Sequence, residues 1–523
     1  MYEKGEIREV LLPEVYMGLV ITGLMLYGSV YTRTMRRGDE GGDNKGLVWL
    51  GVWGMWMGSI LNWGNEFGEG EVLGGSLVHN SMTGGLKGIV WVFGGLCLVG
   101  GLGELGRYRE RGGEEGERVG RIPEREISQG YRLEYVLLVM LSTYGVGLMG
   151  SGGDMMWVYL ALELQALGMY VMAGSGREGK AYGTEGGLKY YVMGAIGSGL
   201  MLYGVSLMYG STGTTNIREW RECNVGGYEG GGKFEVGLML VVVGMLFKLG
   251  GAPFHMWVGD VYEGASKITG LYFGVVPKIG VLGVLLKLST VIPEGEGVWR
   301  KWIISVGLLS IGVSLMGALY QRRIKRFIGY SSIGHVGYML IGLGSGTIEG
   351  VMGMWVYVIL YMVTGMCMWQ IVSKMRGKGG GGIVNIEEMG GMGRRGKWEG
   401  VTLGVCMLSV AGIPPMAGFY GKMYIFMGAV EGSMGGVALW GILGSVVSTY
   451  YYLRVIKVMY FEEGGEEERG RYRGEELVYR GEGMSRGAGL VMGVCVIVMV
   501  LFMMEPGVLL VMGHNMSLGM TGY

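Results

Sequence analysis

VVVGMLFKLGGAPFHMW, residues 241–257, reads as the centre of a membrane helix, yet it carries Lys248, a Gly-Gly pair, Pro253 and His255. A lysine midway through an apolar span costs about 3 kcal/mol on insertion scales, and a proline there removes a backbone hydrogen bond. Two such penalties in one turn of chain imply a use for the charge and for the break.

The surrounding sequence fixes the setting. Half of the 523 residues are hydrophobic and the mean hydropathy is +0.36. The apolar residues fall in runs of about 18–25, the length that crosses a bilayer as helix. Fourteen are counted: 11–31, 46–63, 87–104, 134–151, 154–174, 188–209, 235–255, 268–288, 302–319, 327–345, 351–371, 400–427, 437–460 and 487–512. The expected fold is an all-α polytopic membrane protein of about fourteen transmembrane helices. Net charge is zero, from 44 Lys+Arg against 44 Asp+Glu, so bulk charge points to no partner class. Its placement is informative: loops after odd-numbered spans hold 29 Lys+Arg, and the N-terminus with the loops after even-numbered spans hold 7. The positive-inside rule puts the odd loops on the matrix or cytoplasmic side and both termini opposite.

Cys97, Cys223, Cys367, Cys406 and Cys495 are widely spaced in sequence with no CxxC, which reads as small packing residues without disulfide or metal. The acidic start MYEKGEIREV is unlike a cleavable leader, so the first span reads as retained. Glycine numbers 110, while Pro and His number only 8 and 4. That skew suggests a G-rich, C-poor coding strand, as in an organelle genome, and it strips glycine-only motifs of meaning.

Three loops of mixed charge, 105–133, 372–399 and 461–486, punctuate the spans and read as solvated linkers or docking surface for partner subunits. An internal echo joins GGAPFHMW (250–257) in the seventh span to AGIPPMAG (411–418) in the twelfth. Paired interrupted spans point to an inverted-repeat transporter with its ion site at the breaks. The chain accordingly divides into 1–133, an N-terminal three-helix segment; 134–290, the first repeat (spans 4–8); 291–460, the second (spans 9–13); and 461–523, a charged loop with the last helix.

Four ionisable residues lie deep: Glu163 in span 5, Lys248 in span 7, Lys278 in span 8 and Lys422 after the Pro-Pro break of span 12. Buried charges must pair, meet water or neutralise, and three lysines cannot all be held by one glutamate. They read as stations of a proton path, with Glu163 and Lys248 as an adjustable pair. With the carboxylate close, the lysine keeps its proton; with it withdrawn, the proton is released. The breaks supply unpaired carbonyls to line a hydrated cavity. His255, just past Pro253, and His335 in span 10 are possible relays. Lys87, Lys189 and Lys287 near span ends read as snorkelling, Arg454 and Lys457 as anchors, and His79 and His514 as structural.

The motifs LALELQALGMYVM, GLKYYVMGAIGSGLMLYGVSLMYGSTGTTNI, FKLGGAPFHMWVGDVYEGA, VVPKIG, YQRRIKRFIGYSSIGHVGYMLIGL and LSVAGIPPMAGFYGKMYIF run in order from about 155 to 430. In these the chain resembles subunit 2 of the proton-pumping NADH:ubiquinone oxidoreductase, respiratory complex I, an antiporter-like membrane subunit. The resemblance implies fourteen helices with two inverted five-helix repeats, broken helices 7 and 12, and a hydrophilic axis along the membrane centre. Mapped by motif, it assigns proton transfer to Glu163, Lys248, Lys278 and Lys422, the residues that burial singles out independently. The lysine at position 422 disfavours subunit 4, and YEGA followed by VVPKIG fits subunit 2 better than subunit 5. The chain departs in SKITG (266–270), where the family often carries a proline, and in glycines at many alanine or serine positions.

On this resemblance the FMN, the iron–sulfur clusters and the NADH and ubiquinone sites belong to other subunits, and this chain carries no cofactor. The expected partners are other membrane subunits of complex I, including neighbouring antiporter-like chains, and lipids, with no nucleic acid. The expected place is the mitochondrial inner membrane, with termini toward the intermembrane space and protons moving out of the matrix. The competing readings are a subunit of a multi-subunit cation/proton antiporter, and a scaffold subunit whose charges only tie helices together.

Overall fold

A computed structural model describes residues 4–35, 45–64, 70–116, 124–175, 181–225, 231–291, 297–375, 384–462 and 486–519. Apolar runs of this length form helix because in lipid each backbone N–H and C=O must be satisfied within its own segment. The chain begins with α1 (Lys4–Met35) and α2 (Lys45–Trp63), then α3 (Ser81–Gly116), α4 (Glu124–Ser151), α5 (Met155–Gly174) and α6 (Ala181–Thr212). A short α7 (Ile217–Val225) precedes α8 (Gly231–Leu249), α9 (Met256–Gly264), α10 (Lys267–Val275) and α11 (Pro277–Ser289). There follow α12 (Gly297–Tyr320), α13 (Ile324–Gly344), α14 (Ile348–Lys374), α15 (Met392–Arg395), α16 (Lys397–Ala411), α17 (Ala417–Glu431) and α18 (Gly435–Phe461). The last are α19 (Arg486–Leu501) and α20 (Gly507–Leu518).

Among the described residues nine helical stretches are long and apolar enough to cross a membrane. Several of the fourteen expected segments are interrupted: the seventh ends early, α8 stopping at Leu249 with α9 following it, the eighth is divided into α10 and α11, the twelfth into α16 and α17, and the last into α19 and α20. The all-α expectation needs one correction. An antiparallel hairpin, β1 (Gly70–Val72) with β2 (Leu77–His79), stands between α2 and α3. Its turn is made possible by Gly74 and Gly75, both at positive φ. The linker at 105–133 is shorter than read, because α3 runs to Gly116 and α4 starts at Glu124; its Arg- and Glu-rich sequence favours helix. Residues 117–123, 376–383 and 463–485, central to the three charged loops, lie outside the described residues.

At the centre stand α10 and α11, buried along their whole length, and α14, nearly so. The outermost helices, α1 and α18, are buried over only a third of their spans. Around this centre α6 packs on α8, α12 on α13, and α17 on α14. The α6–α8 contact is backbone against backbone. A Cβ on Gly204 would sit 2.5 Å from the Gly237 carbonyl oxygen, and one on Gly244 2.6 Å from that of Gly197. Glycine pattern, dismissed on composition, therefore does set this helix pair. Cys97, Cys367, Cys406 and Cys495 are buried among the packed helices, while Cys223 on α7 is half-buried.

The two breaks are built alike. Gly250 (φ 76°) ends α8, and the N–H groups of Gly250 and Gly251 both return to the Leu246 carbonyl at 2.9 and 3.1 Å. Gly412 (φ 83°) ends α16, and Gly412 and Ile413 both return to Leu408 at 3.2 Å. A glycine in the left-handed region closes a helix this way at no steric cost. Past each glycine the X-Pro bond, Ala252–Pro253 or Pro414–Pro415, is cis. Side chains take up the remaining groups: Ala252 N donates to Ser310 Oγ (2.9 Å) and Trp257 Nε1 to the Phe247 carbonyl (2.9 Å).

Candidate functional site

Lys248 lies on the last turn of α8, where the break releases it toward α5 and α6. Its Nζ stands 3.6 Å from Glu163 Oε1, an ion-pair separation longer than a hydrogen bond. It donates instead to Tyr170 Oη, one helix face along α5, at 2.8 Å. Ser198 of α6 donates to the same Glu163 oxygen. The lysine side chain is 8% exposed and the glutamate 26%, so the carboxylate is the member at the flank of the bundle. An ion pair held at this distance is loose enough to be broken by moving one side chain.

Lys278 is the second residue of α11, after Pro277 at the first helical position, where proline fits because no N–H is needed. Its Nζ donates to Tyr361 Oη of α14 at 3.0 Å and lies 4.8 Å from that ring's centre. No charged partner acts on it among the described residues. The Tyr361 ring lies 5.0 Å, centre to centre, from His335 of α13. Both nitrogens of His335 are engaged: Nδ1 with Tyr357 Oη at 2.5 Å and Nε2 with Tyr452 Oη at 3.1 Å. A hydroxyl can donate or accept, so either tautomer is accommodated. Tyr357 meets Tyr338 edge-on at 6.2 Å, and Lys422 Nζ stands 5.1 Å over the Tyr338 ring.

Lys422 closes the row at the second break. Its Nζ donates to the carbonyls of Val410 (3.1 Å) and Ala411 (3.0 Å), the last of α16, which the break leaves without helical partners. Gly412 is needed here twice over, for its φ and because a Cβ would lie 3.1 Å from Lys422 Cδ.

Glu163 and Lys248 thus form one cluster, and Lys278, His335 and Lys422 a second, joined by tyrosines. His255 stands apart. It precedes α9 without capping it, and no hydrogen bond joins its Nδ1 to the other five residues among those described. The tyrosines at 170, 338, 357, 361 and 452 were missed by sequence reasoning, because aromatics in apolar spans read as packing. A signal existed: Tyr357 and Tyr361 are four apart, and Tyr338 is three from His335, so each pair shares a helix face.

Two boundary lysines also read differently in place. Lys87 and Lys287 do not reach for the interface; both are buried, Lys87 against Glu14 and Lys287 on the carbonyls of Gly150 (2.5 Å) and Gly152 (2.9 Å). Lys189, partly exposed, pairs with Glu185 (2.8 Å) and Asp260 (2.7 Å). Asp260 also takes Arg326 at 2.9 Å, and Glu263 takes Arg323 and Arg326. The helix that follows the first break, α9, is thereby tied to the start of α13. Arg454 donates to the Leu319 carbonyl at 3.1 Å.

Residues 152–448 match the family described as NADH:quinone oxidoreductase/Mrp antiporter, transmembrane. The chain is 36% identical over 458 residues to NADH-quinone oxidoreductase subunit N of Paramagnetospirillum magneticum, covering 86% of this chain and 88% of the relative. It is 40% identical over 380 residues to subunit N 1 of Acidiphilium cryptum, covering 72% and 76%. Two solved structures share the fold. One is a chain of respiratory complex I from Thermus thermophilus with bound aureothin (TM-score 0.73, 24% identity, 95% of this chain and 98% of that one). The other is a chain of the Mrp complex from Dietzia sp. DQ12-45-1b (TM-score 0.78, 16% identity, 97% of each).

Proposed function

Because the chain belongs to the NADH-quinone oxidoreductase subunit N family, with its antiporter-type fold, we propose that the charged row across its middle is the route by which it moves protons. The chain is a proton-translocating membrane subunit of NADH-quinone oxidoreductase, multi-pass and part of a larger membrane assembly. The observation that carries the route is the continuity from Lys278 through Tyr361, His335, Tyr357 and Tyr338 to Lys422, with Glu163–Lys248 beside it. Only Lys278–Tyr361 and His335–Tyr357 are direct hydrogen bonds; water bridges of ordinary length would complete the rest.

In this reading redox energy released in other subunits changes the electric field and shape at Glu163. With Glu163 drawn off, Lys248 keeps only the Tyr170 hydroxyl and loses the carboxylate that favours its charged form. The proton passes inward to Lys278, across the tyrosine–histidine row, and waits at Lys422. His255, lying beside the break, is an entry group at most. The matching breaks at Gly250 and Gly412 support two inverted repeats, spans 4–8 and 9–13, within fourteen helices. FMN, the iron–sulfur clusters, NADH and ubiquinone are assigned to partner subunits, and neighbouring antiporter-like chains and lipid cover the outer faces. The charge asymmetry supports termini on the outer side, and the codon-type skew supports the mitochondrial inner membrane, although the relatives named above are bacterial.

The test is Lys248→Ala and Glu163→Gln in assembled complex, with NADH oxidation and proton uptake measured together. Loss of pumping, with or without loss of turnover, is expected. Assembled variants with both unchanged would sink the route. The fold shared with the Mrp complex keeps a cation/proton antiporter as the second reading; co-purification with membrane chains alone, without flavin or iron–sulfur subunits, would favour it.

A further inference from the structure

A second buried carboxylate–lysine pair lies outside the row. Glu14 of α1 and Lys87 of α3 form an ion pair with side chains only 7% and 2% exposed. Glu14 sits about one turn inside its apolar span and Lys87 less than two, so the pair is beneath one membrane face. That face carries the β1–β2 hairpin, the end of α2 and the end of α11.

The helices that carry the pair, with α2 and the hairpin between them, also hold buried polar atoms without partners. Glu14 Oε2, Asn62 Oδ1, His79 Nδ1, Asn80 Oδ1 and Trp91 Nε1 are all buried and unpaired among the described residues. Asn62 Nδ2 donates to the Gly84 carbonyl at 2.6 Å, and His79 and Asn62 both flank Gly84, one turn before Lys87. Buried polar atoms left unpaired cost about 1–3 kcal/mol each. Such atoms are satisfied when water enters, and those of Asn62 and His79 lie one turn from Lys87.

The pair also has neighbours that lead away from it. Burial, and after it the Lys87 ammonium, hold His79 below the ordinary imidazole range, with the Glu14 carboxylate opposing. Lys287, near the end of α11, lies near enough for its charge and that of Lys87 to act on one another. Arg218, which pairs with Glu71 on the hairpin, acts on Lys287 as well. That Arg218–Glu71 pair is about one-third exposed, so the charged groups form steps from the buried site to the surface.

We propose that Glu14, Lys87 and His79 form a hydrated proton-exchange site of the N-terminal helices, opening to the face that carries the hairpin. Lys287, on the far end of α11 from Lys278, ties the site to that helix. The ligand is a proton on water: Glu14 Oε2 has no other partner among the described residues, and the lysine ammonium beside it disfavours a metal cation. The site deepens the translocation reading and rests on it, placing a release station where the charge asymmetry locates the outer side.

The experiment uses assembled complex in sealed membrane vesicles. Glu14→Gln and Lys87→Gln are made singly and together, with Lys248→Ala in parallel, and protons moved per NADH oxidised are measured. The double variant keeps a hydrogen-bonded pair of nearly the same size, so a purely structural tie would leave the ratio unchanged. The proposal expects the ratio to fall in all three. A loss at Lys248→Ala with none at Glu14 or Lys87 overturns the site and leaves the axis standing; no loss at either overturns both. Should the pair variants fail to assemble, His79→Gln and Asn62→Leu leave the ion pair intact. A fall in the ratio there supports the site, and an unchanged ratio overturns it.

Discussion

Tyr361→Phe isolates one atom of the row. The Tyr361 hydroxyl is the hydrogen-bond partner of Lys278 Nζ at 3.0 Å, while the ring, 4.8 Å away, contributes separately as a π face. Phenylalanine keeps the ring, its contact with His335 and nearly all the volume. What is lost is a hydrogen bond to a charged, fully enclosed group, about 1.5–3 kcal/mol. No carboxylate stands by to compensate among the described residues. If proton exchange at Lys278 limits translocation, the pumping rate falls roughly 10- to 150-fold, since each 1.36 kcal/mol is tenfold. Proton uptake in vesicles of assembled complex, normalised to the amount of subunit, reads the loss. A control with Tyr420→Phe, a tyrosine of α17 packed edge-on against Phe502 away from the row, should pump normally. An assembled Tyr361→Phe complex pumping within twofold of wild type would refute the idea that this hydroxyl carries protons.

His335→Asn removes one of two hydroxyl partners, Tyr357 or Tyr452, and should assemble while pumping at least about tenfold slower, by the loss of one buried hydrogen bond plus an unpaired group. Gly412→Ala forces a side chain into positive φ and against Lys422; a cost of about 1–2 kcal/mol should appear as lower assembled yield by native gel. Gly204→Val drives a branched side chain into the α8 backbone, so overpacking of about 1–3 kcal/mol or more should lower the thermal midpoint of the complex. Asp260→Asn breaks two solvent-screened pairs, with Lys189 and Arg326, and should leave assembly and its salt dependence nearly normal by native gel.

Much of the site was legible because membrane burial makes charge conspicuous. Glu163, Lys248, Lys278 and Lys422 stand out in apolar runs, and three of the four lie within a few residues of a proline. The breaks were legible for the same reason: glycine followed by proline cannot continue a helix. What links the lysines was not. Tyr357 and Tyr452 come from α14 and α18, so only folding brings their hydroxyls to His335 of α13, and Tyr361 of α14 to Lys278 of α11. Lys87 was misread because distance from a span end does not tell whether a neighbouring helix, here α1 with Glu14, supplies a countercharge. The hairpin at 70–79 was passed over because six strand residues carry no periodicity longer than a loop's.

The two end lysines are held by different kinds of anchor. Lys248 leans on a carboxylate and a phenol, groups that can be turned aside or take up a hydrogen ion. Lys422 leans on two peptide oxygens, whose dipoles are built into the chain and never titrate. Moving one side chain can therefore alter the contact at Lys248, whereas the contact at Lys422 changes only if the backbone of the break itself moves.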